Sequence, residues 1–161
     1  MTSAEKITGN LPPTDDRFYE DYDIGAVYEC GSFSIDEDEI IAFATHYDPQ
    51  PMHTDPSVSG GVVASGWHTA CLTMRLIADN FLSRVAGLPS PGIEAIAWTH
   101  PIHPGEPIRV VAKVEKKRVS QSKPDRGILT TTFIARNSEG IETMTFRASN
   151  FVLLRGQNAQ A

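Results

Sequence analysis

Asp48 stands five residues before His53, with Pro49 and Pro51 between them. A carboxylate can hold a charge or accept a proton, and an imidazole changes its charge near neutral pH. The two together suit acid–base work on one water or one substrate proton. Proline fixes φ, removes a backbone donor and keeps the residue before it out of the helical region. The stretch from Tyr47 to His53 is therefore expected to be a bent, stiff loop that aims both side chains at one point. On this heptapeptide alone the plainer reading stays open, with Asp48 capping a turn and His53 at the surface.

The glycines that follow shift the balance. Gly60, Gly61 and Gly66 would let a substrate come close to the backbone. Gly66 opens the longest helical pattern in the chain, where free N–H groups and the positive dipole end suit an oxyanion. The other histidines carry less. His46 falls where a first helix should end, which suits a cation. His68 sits in the first turn of the long helix, facing either solvent or the site. His100 and His103 share a Pro-rich turn, a two-ligand fragment without a carboxylate, so no metal site is expected. GxSxG, P-loop and HExxH patterns are absent from the sequence, so the local parts of serine hydrolysis, phosphoryl transfer and zinc proteolysis are missing.

The elements that must position these residues can be read in order. Residues 1–17 are polar and carry Pro12-Pro13, which predicts a loose arm. A first strand is expected over Val27–Phe33. A helix follows, with Ser34 and Glu37 matching a capping box, an acidic first turn, and an apolar stripe of Ile40, Ile41, Phe43 and Ala44. The long helix is predicted from Trp67 to about Arg84, with Ala70, Cys71, Met74, Ile77, Ala78 and Phe81 recurring at helical period and apolar residues over most of its circumference. The pattern then switches to period two. Four strands are expected at 93–99, 108–119, 128–136 and 142–154, rich in Val, Ile and Thr. This order predicts an α+β fold, one curved antiparallel sheet wrapped around a long central helix, over a single domain of residues 18–155. Residues 156–161 form a tail. Such a sheet has an open side and edge, which favours a homodimer.

Composition narrows the partners. With 161 residues the chain suits one domain with a real core. A net charge of −6 argues against general affinity for nucleic acid or anionic membranes. No apolar run nears the roughly 20 residues that span a bilayer. The N-terminal stretch lacks a secretory apolar region, so a cytoplasmic location is expected. Cys30 and Cys71 show no ligand spacing and are expected to be free, buried thiols.

The motifs together resemble a known family. Phe43-Ala44, the run from Asp48 to His53, and Gly60-Gly61-Val-Val-Ala-Ser-Gly66-Trp67-His68-Thr69 are similar to the MaoC-like dehydratases, which include the (R)-specific enoyl-CoA hydratases. The likeness extends to Phe18–Gly25 and to His100–Glu106. It implies a hotdog fold acting as a dimer on acyl thioesters of coenzyme A or an acyl carrier protein, with no metal or redox cofactor. By position, Asp48 and His53 would be the dyad that adds water across a trans-2-enoyl thioester, one taking the water proton while the other delivers a proton to the α-carbon. The Gly66 N–H would hold the thioester oxygen, and Gln50, Gly61 and Trp67 would line the substrate site. Departures are visible: Gln50 replaces a common Asn, the 53–66 segment is short, and Met74 stands where a polar residue is frequent. Two other readings remain at this level: a hotdog acyl-CoA thioesterase, and a non-catalytic acyl-CoA-binding module.

Overall fold

The computed structural model describes residues 6–158. Six strands form one antiparallel sheet: β1 (Val27–Phe33), β2 (Gly87–Leu88), β3 (Ile93–Trp98), β4 (Ile108–Val119), β5 (Arg126–Asn137) and β6 (Glu142–Leu153). The order is β1-β4-β5-β6, and β2 and β3 lie end to end along the free side of β6. Among the described residues three α-helices accompany it, α1 (Glu37–Tyr47), the single turn α2 (Pro51–Thr54) and α3 (Gly66–Asn80), with one 3-10 turn at Tyr19–Asp21. The sheet curls around α3, the hotdog arrangement expected from the sequence. The four long strands fall at or within three residues of their expected bounds. The two-residue β2 carries too little pattern to be read in advance.

Alternation decides which face of the sheet meets α3. Val110, Ala112 and Val114 of β4, Leu129, Phe133 and Ala135 of β5, and Met144, Phe146 and Ala148 of β6 point inward and are buried with Ile77 and Phe81. Burying about ten such side chains is the main force holding helix to sheet. On the outer face Val27, Val111 and Ile134 form a smaller cluster, covered by Ile7.

The sequence reading needs correction in four places. From Ile7 the expected loose arm is docked: Thr8 and Gly9 N–H groups donate to Val27 O at 3.0 Å, and Leu11 packs on the core. Residues 1–5 of that arm and 159–161 of the tail lie outside the described residues. The N-cap of α1 is Asp36 and makes no side-chain capping bond, so the Ser34–Glu37 capping box is not formed. The inward stripe of α3 is Thr69, Thr73 and Ile77, flanked by half-buried Leu72 and Leu76, whereas Cys71 and Met74 face outward. Hydropathy counts threonine as polar, yet Thr69 Oγ1 donates to Ser65 O (3.3 Å) and so can be buried. Cys71 is accordingly exposed, while Cys30 is buried as expected.

Fourth, α3 stops at Asn80, earlier than Arg84, because side chains from the N-terminal segment take its last carbonyls. Arg17 Nη1 donates to Asn80 O (2.7 Å) and Phe81 O (2.8 Å), and Tyr22 Oη also donates to Phe81 O (2.8 Å). Arg17 further donates to Pro12 O. A guanidinium at the negative end of a helix satisfies both dipole and orphan carbonyls. Replacing it leaves buried acceptors unpaired. Arg17→Leu is expected to lower unfolding free energy by about 2–3 kcal/mol, the range for charged hydrogen bonds, as measured by urea denaturation. A change within error would show that α3 does not depend on this cap.

Candidate active site

Asp48 and His53 meet. Asp48 is the C-cap of α1, its N–H bonded to Ala44 O at 2.9 Å. His53 lies on α2 rather than on an irregular loop, since Pro51 at the first helical position pre-sets φ for one turn. The turn closes through His53 N–H to Gln50 O (2.9 Å) and Asp55 N–H to Pro51 O (2.9 Å). His53 Nε2 is thereby placed 3.4 Å from Asp48 Oδ2.

The remaining polar atoms of the pair are held. His53 Nδ1 lies 2.7 Å from Val63 O. A carbonyl only accepts, so Nδ1 carries the hydrogen and the neutral ring presents an Nε2 lone pair to the cavity. Asp48 Oδ1 accepts from Gln50 Nε2 (2.6 Å), and Oδ2 accepts from Ser65 Oγ (2.7 Å). Those two bonds, Gln50 first and Ser65 second, hold the Asp48 carboxyl below its ordinary pKa against the opposing push of burial. Two acceptors side by side, each fixed from behind, suit a water that donates to both.

The dyad opens into a cavity of about 360 Å³ whose walls include Gly66, Trp67, Trp98 and His100. Gly66 is the first residue of α3, where backbone N–H groups have no partner within the helix. A Cβ there would lie 2.6 Å from the Trp98 ring, so the indole can cover the helix start only because residue 66 is glycine. Trp67 meets Trp98 edge to face at 5.2 Å.

The structure brings together Asp48, His53, Gln50, Gly66 and Trp67, but not Gly61. Gly61 is in an exposed turn, its N–H on Val58 O (2.9 Å), away from the cavity wall. His68 faces α1: it is buried, stacks on Phe43 at 4.3 Å, and has Nε2 3.6 Å from Glu39 Oε1. Burial holds its pKa below the ordinary value, with Glu39 opposing. Among the described residues no group of three or more His, Cys, Asp or Glu side chains could hold a metal ion. Ser65 escaped the sequence reading because a serine before a helix reads as an N-cap. Here it makes no capping bond and spends its hydroxyl on Asp48. Thr99, His100 and Thr143 also line the cavity from the sheet side, and no local pattern marked the two threonines.

Residues 22–136 match the family described as MaoC like domain. The chain belongs to this family. A MaoC-like dehydratase from Rhodospirillum rubrum is 34% identical, with a TM-score of 0.77 over 86% of this chain and 97% of that one. An uncharacterized protein of Bacillus subtilis, YdeM, is 26% identical over 144 residues, 84% of this chain and 97% of its own length. The fold is shared with R-hydratase PhaJ1 from Pseudomonas aeruginosa at TM-score 0.67 and 20% identity, over 89% and 92% of the two chains.

The hydrogen bonds to Asp48 lead to a pH prediction. A carboxyl whose folded pKa lies below its unfolded one contributes stability above the unfolded value, and that contribution fades as pH falls through the folded value. Carboxyl NMR should show Asp48 titrating below ordinary aspartates, and Ser65→Ala should move its midpoint upward. An unmoved midpoint would deny Ser65 this part.

Proposed function

We propose that the protein is a hydratase that adds water reversibly to a trans-2-enoyl thioester, giving a 3-hydroxyacyl thioester of coenzyme A or an acyl carrier protein. The observation that carries the proposal is the held pair itself: an Nε2 lone pair and a carboxylate 3.4 Å apart, beside the start of α3. Family membership supports a hydratase or dehydratase reaction.

The chemistry follows from the hydrogen bonds. Water donates one hydrogen to Asp48 and the other to His53 Nε2. As its oxygen bonds to the β-carbon, Nε2 takes a proton, and the Asp48 carboxylate stabilises the imidazolium that forms. Electron density moves through the double bond to the thioester oxygen, which gains enolate character at the Gly66 N–H and the positive end of α3. The imidazolium then returns its proton to the α-carbon. Hydrogen and hydroxyl from one water are accounted for, and the step uses no metal or redox cofactor. Asp48 serves here as a fixed charge because its two donors make it a poor proton carrier.

A homodimer is part of the proposal. Trp67, Met74, Ile93 and Trp98 are all more than 40% exposed on the flank where α3 meets β3. Beside them β3 pairs only with β6 among the described strands, so its other edge is open. A second copy covers both the apolar flank and the edge. We place this dimer in the cytoplasm. Among the described residues no helix is long and apolar enough to cross a membrane.

Asp48→Asn and His53→Ala are each expected to slow hydration by ~10²–10⁴-fold, the range for a positioned acid or base. Acting in one step, they should not add: the double variant is little slower than the slower single one. Near-normal turnover by either single variant, followed by enone absorbance, would refute the dyad. Sedimentation should show a dimer at micromolar concentration without substrate, and a stable monomer would contradict the pairing face.

A further inference from the structure

Among the described residues β1 ends the sheet, with β4 on one side and no strand on the other. An edge of that kind offers unpaired N–H and C=O groups to any extended chain. Here the N-terminal segment covers it. Val27 O accepts from Thr8 N–H and Gly9 N–H, both at 3.0 Å, and Val27 N–H donates to Thr8 Oγ1 at 3.0 Å. Farther along, a bulge between Glu29 and Gly31 breaks the register, and Cys30 O accepts from Asn80 Nδ2 (2.8 Å). The segment crosses the edge and does not run along it. Ile7 sits on the outer-face cluster of Val27, Val111 and Ile134, while Leu11 packs on the inner core. The crossing point is Gly9, where a Cβ would lie 2.2 Å from the Tyr28 ring. That ring has no room to swing: Tyr28 is buried, its Oη accepts from Asp23 N–H (2.7 Å), and it packs against Tyr22 and Phe81. Beyond the crossing, Pro12 and Pro13 present no N–H, and Thr14 O accepts from Arg84 N–H (2.8 Å).

We infer that residues 7–14 are a strap that shuts the β1 edge against a second copy of this chain, and that the strap can cross only because residue 9 is glycine. The two edges of the sheet then differ. The free side of β3 is open, and β1 is closed on both faces by Ile7 and Leu11. Resting on the β3-paired dimer proposed above, the two β1 edges lie at the far ends of one joined sheet. With both shut, growth stops at two copies. An opened strap bares a strand at each end, and pairing of β1 with β1 of the next dimer lengthens the sheet dimer by dimer. The strap therefore acts as a stop on assembly, built from the same chain that it protects.

Two variants of the full chain test this, each first shown folded by cooperative thermal unfolding. Gly9→Val drives the strap off the Tyr28 ring, and Ile7→Asp removes its outer-face anchor while keeping the crossing glycine. Hydrogen exchange at Val27 N–H reads the strap directly and should speed up at least ~10-fold in each. Sedimentation velocity should then show species of four or more copies that grow with protein concentration, where wild type stops at two. By alternation Glu29 N–H points the same way as Val27 N–H. Adding Glu29→Pro removes that donor and should return either variant to wild-type size. A monomeric wild type, with variants that dimerise until Glu29→Pro is added, would keep the strap and remove the β3-paired dimer. Fast exchange at Val27 in folded variants of wild-type size would overturn the inference. So would unchanged exchange in both variants, since Val27 would then be covered by something other than this strap.

Discussion

The hydrogen bond from Ser65 to Asp48 is the contact on which the site depends. Asp48 ends α1 and Ser65 precedes α3, so one 2.7 Å bond joins the two helix ends that carry the carboxylate and the backbone donors. The imidazole is tied to the same place by Val63 O, two residues before Ser65. Carboxylate, imidazole and helix start are thus referenced to one short segment, 63–66. A site set in this way has little freedom left to lose when substrate arrives.

That segment is fixed by backbone hydrogen bonds on both sides. Ala64 N–H donates to Ile102 O (2.9 Å) and Val63 N–H to Met52 O (3.0 Å), which locks the approach to α3 between α2 and the chain leading out of β3. The far end of α3 is held by Arg17 and Tyr22. With both ends pinned and the Thr69–Ile77 stripe buried, the outward flank carries Trp67 and Met74, with the dyad cavity at its start. The stacked His68 and Phe43 add a second tie between α1 and α3.

Much of this is legible in the sequence. Alternation marked the four long strands, because a sheet with one buried face imposes period two on its sequence. The Asp48–His53 spacing and Gly66 stood out since prolines and glycines constrain the backbone locally. What was missed depends on tertiary context. Nothing in the sequence around Ser65 shows that its hydroxyl turns away from the helix end toward a residue 17 positions earlier. The inward stripe of α3 was misplaced because Thr69 and Thr73 look polar, yet both are buried against the core. Gly61, given a substrate role by resemblance, serves a turn with φ of 77°. It is absent from the lining of the dyad cavity.

In the proposed reaction water attacks the β-carbon and not the carbonyl carbon. Incubating the protein with a trans-2-enoyl-CoA in H₂¹⁸O, followed by mass spectrometry, follows the oxygen directly. Hydration predicts an intact thioester carrying ¹⁸O as the hydroxyl on the β-carbon. Free coenzyme A thiol and ¹⁸O in a released carboxylate would place the attack at the carbonyl instead, and would contradict it.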